Sequence, residues 1–498
     1  VPLLGFISPS VCLVVDFPSI PILRQGSIYR SLDRRQLPDV RGGKPVGEVH
    51  MANSGLVKRD LANLSRARAA LGAIAASDLL EMTRLAGRYF MEDALPLGDD
   101  VVGCLQTPAD YVRQLAATSG LPCALIGENM RKLGRAFAEI ETVFAGLTRA
   151  MDPAILDKGY GEIAGIPVCF HAQTDALGVI MPSNSPAVNA LYLPAVAMKI
   201  PVVIKPGREE PWTPWRIIQA FIKAGVPREA FSFYPADHDG ANAILGKMGR
   251  VMLFGDDRTV ARHAGDARVE VHGAGHSKIL IGEDCIDNWQ ACLDTMEASV
   301  AGNGGRSCIN TSTIMVPSHA DEIADALALR LADYRPLPPD DPAARLAGFA
   351  NPKIADWIDA AITEGLEEAG AEDVTDRHRS GSGRRIEVDS IHYLLPTVIR
   401  LDSVQHNLFD KEYLFPFVQV VEMPQPEMLS AIGKSLVVTA ITDDPEWRRE
   451  LLDCRLIDRL NLGCFPTNRV EWNQPHEGNL FDFLYRRRAV YVGDMNPL

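Results

Sequence analysis

From about Gly178 the chain becomes a series of short apolar runs separated by helical stretches, and this alternation constrains the fold more than any other feature. The strand candidates are Gly178 to Pro182, Pro201 to Lys205, Phe231 to Pro235, Val251 to Phe254 and Val269 to Val271. Between them, Ala187 to Ile200, Thr213 to Ala224 and Gly240 to Met248 carry helical spacing. Strands alternating with helices in this way form a parallel sheet with crossover helices, and such sheets bind ligands at the carboxyl ends of their strands. Ahead of this region, residues 56 to 150 are rich in Ala, Leu and Arg, with apolar positions three and four apart, as in Val57, Leu61 and Leu64 or Leu79, Met82 and Leu85. That spacing predicts amphipathic helices packed on a core. Beyond it, a helix from about Asn288 to Ala301 runs into Gly302-Asn303-Gly304-Gly305-Arg306-Ser307-Cys308, the strand Thr311 to Val316 follows, and a second alternating region extends to about residue 460. The Ser, Gly and Arg of Thr375 to Arg385 read as an exposed connection.

Composition narrows the function classes. A chain of 498 residues, 47% hydrophobic and 23% charged, is globular and long enough for roughly two to four domains. Its formal net charge of -14 lacks the basic field that non-specific nucleic-acid binding requires. Nine cysteines without close-set pairs predict reduced thiols in a cytoplasmic protein, with neither a disulfide framework nor a metal site. The apolar run Leu3 to Val15 is interrupted by Ser8, Pro9 and Ser10 and falls short of the roughly 18 residues a membrane span needs.

Cys308 is the cysteine best placed to act as a nucleophile. Three glycines precede it within six residues, and a glycine-rich approach lets the backbone fold tightly around a side chain that a reactant must reach. Structural burial is the commoner state of a cysteine, because reactivity depends on pKa and exposure. Pro182-Ser183-Asn184-Ser185-Pro186 directly follows a strand, and Ile204-Lys205-Pro206 ends the next one. An Asn on a strand-to-helix turn can aim its amide at a developing oxyanion, and a Lys at a strand end can reach a ribose or phosphate.

Strand, Pro-x-Asn-x-Pro, helix, Val-Val-Ile-Lys-Pro, then Gly-Gly-x-x-Cys about a hundred residues later together resemble the aldehyde dehydrogenase superfamily, over roughly residues 60 to 490. The resemblance implies an α/β fold with two Rossmann-like domains plus a β oligomerisation region. It also implies NAD(P)-dependent oxidation of an aldehyde: the cysteine attacks the carbonyl, hydride passes to the nicotinamide, and water or coenzyme A resolves the thioester. By this resemblance the nucleophile is Cys308, and the oxyanion donors are Asn184 and the Cys308 backbone N–H. Pro182 and Lys205 then lie on the cofactor side, with Lys205 on the ribose. Lys411-Glu412-Tyr413-Leu414-Phe415-Pro416 resembles the family's Glu-x-Phe-Gly-Pro segment, which implies a nicotinamide-ribose contact at Glu412, although Leu414-Phe415 replaces Phe-Gly.

Several departures stand beside these matches. Where hydrolytic members carry Glu followed by Leu-Gly-Gly-Lys, this chain reads Glu270-Val271-His272-Gly273-Ala274-Gly275-His276-Ser277-Lys278. Glu270 matches only with an insertion after it; otherwise His272 lies nearest the general-base position. Three readings follow: an imidazole base at His272 with Glu270 in reserve, resolution by coenzyme A, or a non-catalytic binding protein on a decayed dehydrogenase fold. Imidazole, with an ordinary pKa of about 6.5, is a competent base at neutral pH. Gly273-x-Gly275 is no Rossmann fingerprint, because Lys278 stands where its third glycine would fall. The family's phosphate turn resembles Leu253-Phe254-Gly255-Asp256-Asp257, whose aspartates suit a helix N-cap but repel phosphate. Gly255 and Gly275 are the candidate glycines on the cofactor side, with a shifted or weakened phosphate contact expected. Arg208 fills the position where NAD-preferring members carry a ribose-binding Glu, and Glu209 is adjacent, so NADP should at least be tolerated.

The expected organisation is a nucleotide-binding domain over residues 1–282, a catalytic domain over 283–460, and a C-terminal segment, 461–498, that returns to the first domain. By the resemblance, Gly161 to Gln173 pairs with residues 470–498 in the oligomerisation region of a homodimer or homotetramer. The implied partner is a small-molecule aldehyde, with neither nucleic acid nor membrane. Aromatic residues around Trp472 to Phe483 point to an apolar or aromatic substrate.

Overall fold

Two seven-stranded sheets, each wrapped by helices, carry the architecture. The computed structural model describes residues 18–98, 104–379, 381 and 383–491, with Asp257 described by its backbone alone. The apolar run Leu3 to Val15 lies outside the described residues.

In the first sheet the spatial order is Val269–His272, Arg250–Phe254, Leu177–Ile180, Val202–Lys205 and Phe231–Phe233, all parallel, then Ile22–Arg24 and Ser27–Tyr29 antiparallel at one edge. The five parallel strands match the predicted runs within a residue or two at either end. Leu177–Ile180 is buried at every position, which is why its sequence is continuously apolar rather than alternating. It is the first of the five in the chain yet sits at the centre, with Val202–Lys205 on one side and Arg250–Phe254 on the other. The strand order reverses there, opening a crevice at the carboxyl ends beside Pro182 and Gly255. The helix expected over Ala187 to Ile200 divides into a 3-10 helix, Pro186–Tyr192, and an α-helix, Leu193–Ala197. Pro194 has no N–H to continue the first helix, so the second begins around it.

The second sheet runs Ala371–Asp373, Thr397–Leu401, Phe417–Glu422, Thr311–Val316, Ser277–Ile281, Ser435–Ile441 and Ile457–Leu462, parallel except at Ala371–Asp373. Ser277–Ile281 lies inside this sheet, so the expected boundary at 282 falls one strand late: the chain crosses between sheets over residues 273–276. The crossing segment is the Gly-Ala-Gly-His run, whose small residues allow it to pass close to the other domain. A third, antiparallel sheet pairs Tyr485–Arg488 with Ile166–Ala172, and the latter with Tyr160–Ile163, in line with the expected return of the tail.

Thr375 to Arg385 differs from the exposed connection expected. Val374–His378 forms a 3-10 helix, and Arg379 and Arg384 turn inward, both onto Asp373 Oδ2, at 2.8 and 2.9 Å. Pairing with a shared carboxylate is what permits their burial. Among the described residues no helix is long and apolar enough to cross a membrane, and no group of three or more His, Cys, Asp or Glu is placed to hold a metal ion.

Candidate active site

The approach to Cys308 is built from left-handed backbone. Asn303, Gly304 and Gly305 have φ of 53°, 64° and 71°, a run that side chains other than Gly and Asn resist. A Cβ on Gly305 would lie 2.2 Å from the Phe415 carbonyl carbon, so only glycine lets this turn meet the segment that carries Glu412. A chain of side-chain bonds then fixes the loop. Asn129 Nδ2 donates to Asn303 Oδ1 at 2.6 Å, Asn303 Nδ2 to Ser307 Oγ at 3.0 Å, and the Ser307 N–H to Asn310 Oδ1 at 2.8 Å. Arg306, buried under Phe349, donates to the carbonyls of Ser119 and Gly348.

Asn184 reaches this loop from the first sheet. Its Nδ2 donates to the Arg306 carbonyl at 2.8 Å, which brings the strand-to-helix turn against the cysteine loop, while its Oδ1 is buried without a partner. Behind Cys308, its carbonyl accepts from Ser277 Oγ at 2.9 Å, and Gly275 passes so close that a Cβ there would sit 1.7 Å from that same oxygen. Gly275 is therefore the residue against which the cysteine peptide rests. Burial pushes the Cys308 thiol well above its ordinary range, the carboxylates of Glu477 and Glu412 add to the rise, and Arg459 opposes it.

His272 and Glu270 end the edge strand of the first sheet, beside the crossing segment. The His272 ring is 5% exposed, stacks on Phe254 with centroids 4.6 Å apart, and has Nδ1 3.0 Å from Glu477 Oε2 in a close ion-pair contact. Burial pulls the imidazole pKa down, but Glu477 and then Glu270 outweigh it, and the net direction is up. Glu270 is pushed up to about 6 by burial. Gly478 covers it, since a Cβ at 478 would meet Glu270 Oε1 at 2.5 Å. Glu412 accepts the His276 N–H at 2.7 Å and is pushed up to about 7 by burial. It thus faces the crossing segment behind Cys308. Lys278 is fully buried and paired with Asp410 at 2.6 Å, so the residue that breaks the glycine fingerprint serves the second sheet.

On the cofactor side, Pro182 and Gly207 are in close backbone contact: a Cβ on Gly207 would lie 2.3 Å from the Pro182 oxygen. Ser183 Oγ accepts the Glu209 N–H at 3.2 Å. The Lys205 ammonium is pulled down, first by burial and next by the charge of Arg35, while Glu209 and Asp237 oppose the shift. Arg35 is lowered by burial and then by Arg208, and its Nε is buried without a partner. Three cations therefore share this edge with Glu209. Such a partly desolvated positive cluster suits the ribose and phosphates of a dinucleotide. At the other side of the crevice, Asp256 N-caps the helix Asp257–His263, accepting Thr259 N–H at 3.0 Å and Thr259 Oγ1 at 2.7 Å. A first-turn donor that a phosphate would use is already occupied.

The sequence did not point to Glu477, Arg35 or Asn129. Arg35 and Asn129 carry no local signal, and nothing in the sequence at 476–478 specifies where the tail returns. The aromatic residues of the tail pack it onto the rest of the chain. Phe481 stacks on Tyr485 and lies edge-on to Phe170, and Trp472 and Phe483 pack against the first core, so their apolar area is spent on docking the tail.

Comparison with known proteins agrees with this fold. The chain is 24% identical over 308 residues to the aminoacetaldehyde dehydrogenase of Pseudomonas aeruginosa, covering 57% of this chain and 58% of that protein's length. The aldehyde dehydrogenase KauB from Pseudomonas aeruginosa superimposes with a TM-score of 0.77 at 15% identity, over 95% of this chain and 96% of that one. An aldehyde dehydrogenase from Bacillus cereus, solved as an NAD+ complex, gives 0.74 at 15% identity over 95% and 96%. Residues 128–432, more than half of the chain and the span that holds Asn184, Lys205, His272, Cys308 and Glu412, match the aldehyde dehydrogenase family, and the chain belongs to that family.

Proposed function

We propose that this protein oxidises an aldehyde to a carboxylate through a covalent thioester on Cys308, with a nicotinamide dinucleotide as electron acceptor. The observation that carries the reading is the 2.8 Å bond from Asn184 Nδ2 to the Arg306 carbonyl, which brings an amide donor from one domain to the nucleophile loop of the other. A thiolate adding to the aldehyde carbonyl creates an alkoxide. Asn184 Nδ2 keeps a second hydrogen for it, and the Cys308 backbone N–H would be the second donor. When bound, the nicotinamide accepts the hydride that leaves as the alkoxide collapses to the thioester. Lys205, Arg35 and Arg208 would hold the adenosine ribose end, Pro182 and Gly255 would flank the crevice, and Glu412 would face the nicotinamide ribose. The unpartnered buried Arg35 Nε supports a phosphate-bearing ligand there, so both NAD and NADP fit. Water resolves the thioester with His272 as base, giving the acid and restoring the thiol.

The test is an aldehyde panel with NAD and NADP, each with and without coenzyme A. Steady reduction of nicotinamide without a thiol acceptor is the expected result; turnover only with coenzyme A, giving an acyl-CoA, would replace water as the resolving nucleophile. No reduction with any aldehyde would leave a binding protein on this fold. The exposed Tyr160 and Ile166 on the three-stranded sheet support a homo-oligomer assembled through that sheet in the cytoplasm. Light scattering should return a dimer or tetramer.

A further inference from the structure

His476-Glu477-Gly478 lies outside the span that matches the family, yet it meets the histidine expected to act as base. Glu477 Oε2 is 3.0 Å from His272 Nδ1 and 3.7 Å from His476 Nδ1, and the Glu477 side chain is only 15% exposed. Phe254 covers one face of the His272 ring with planes 17° apart, and both ring nitrogens are buried without a hydrogen-bond partner, Nδ1 standing in ion-pair contact with Glu477. With the carboxylate beside Nδ1 and the aromatic on the ring face, Nε2 is the nitrogen left for a reactant. A carboxylate at one ring nitrogen holds the proton there and leaves the other nitrogen as acceptor.

We propose that Glu477 is a positioning residue, holding His272 with its proton on Nδ1 so that Nε2 takes a proton from the water that resolves the Cys308 thioester. The inference rests on the thioester reading above. In this step the water oxygen bonds to the acyl carbon and its proton passes to Nε2. The carbon–sulfur bond breaks, its electron pair returns to the Cys308 sulfur, and the product leaves as an acid; no oxidant or reductant is consumed. The imidazolium that forms faces Glu477 from the tail, Glu270 from its own strand and Lys434 from the second domain, with His476 on the far side of Glu477. Two carboxylates against one cation favour the proton's arrival. Glu270 is the other candidate for the base: Gly478 passes close to its Oε1, and its Oε2 is buried without a partner.

The test needs neither cofactor nor a known substrate. p-Nitrophenyl acetate acylates a thiol directly, so nitrophenolate release separates acylation, seen as a burst, from deacylation, seen as the slower steady phase. Wild type should give a burst that Cys308→Ala loses; a missing burst in wild type overturns the thioester reading itself. Glu477→Gln should keep the burst and slow the steady phase about 10- to 100-fold, the range carried by the orienting partner of a functional histidine. Its pH midpoint should move to lower pH, and Glu477→Asp should recover part of the rate. Added to His272→Ala, Glu477→Gln should cost nothing more. An unmoved pH midpoint, or an equal cost on both backgrounds, overturns the positioning role even when the burst is intact. Should Glu477→Gln fail to fold, imidazole NMR of wild type, assigned with His272→Asn, decides instead: an Nδ1–H tautomer supports the role and an Nε2–H tautomer overturns it.

Discussion

The cysteine loop and the cofactor edge are organised by different forces. Around Cys308, neutral amides and hydroxyls bond to one another in series, from Asn129 through Asn303 and Ser307 to Asn310, and the glycines let the loop pack against the segment at Phe415. Around Lys205 the groups are charges, with Arg35 and Arg208 beside it and an orphaned guanidinium nitrogen. The first region closes its amide and hydroxyl series within the protein, with Asn184 Oδ1 and Arg306 Nε left unpartnered. The second gathers like charge and gains stability when an anion enters. A loop of the first kind fixes reacting atoms, and an edge of the second kind selects what binds.

If that division is right, changes in the loop abolish chemistry and changes at the edge alter preference. The largest effect belongs to Cys308→Ala, which should eliminate aldehyde-dependent reduction of the nicotinamide while leaving the unfolding transition in place. Retention of even a tenth of the wild-type rate would remove the covalent mechanism. Asn184→Ala comes next, with kcat lower by about 100- to 1,000-fold and cofactor affinity unchanged. An effect confined to cofactor binding would move Asn184 to the other region and weaken the contrast.

Glu412 lies at the seam and gives a pH-dependent test. Burial raises its folded pKa from 4.5 to about 7, so between those values the folded state binds the proton more tightly than the unfolded chain. Stability from this group is present below about pH 4.5 and is lost as pH rises through 7. Glu412→Gln should therefore unfold at higher denaturant than wild type at pH 8, with the difference shrinking towards pH 5. Equal shifts at both pH values would mean that the carboxylate is not desolvated.

The smallest effect is at Arg208, an exposed charge. Its replacement by Glu should lower the NADP-to-NAD preference by roughly two- to fivefold, the scale of an exposed ion pair, with the change fading at high salt. A ratio that does not move would show that Arg208 takes no part in the cofactor edge and that Arg35 and Lys205 carry the selection.

What could be read from the sequence follows the same division. The five parallel strands were legible because apolar runs of four or five residues must be buried on both faces, and Asn184, Lys205 and Cys308 were legible because each stands at a strand end or a glycine turn. The base region was legible only as an anomaly. His272 and Glu270 were visible as departures, but their surroundings are supplied by Glu477 and Gly478, about two hundred residues further along the chain. No periodicity or spacing rule reaches across that distance. Arg35 was hidden for the same reason, since an arginine on a short N-terminal strand has no mark of the site it joins. The docking of the tail aromatics was not legible because their local composition suits a pocket lining and a strand anchor equally well, and the contact with Phe170 is what reveals the anchor.

The return of the tail also sets an order of events at the ribosome. The Tyr485 hydroxyl donates to the Met198 carbonyl across 287 residues, and Arg250 holds the Phe483 carbonyl across 233. At roughly 5–20 residues per second, the first sheet waits on the order of a quarter of a minute to a minute for these partners. During synthesis the nascent protein therefore carries its nucleophile loop without the acid at 477 beside it. The full set of groups around His272 comes together only after the last strand has docked, so a ribosome stalled before residue 477 would hold a nucleophile loop without its neighbouring carboxylate.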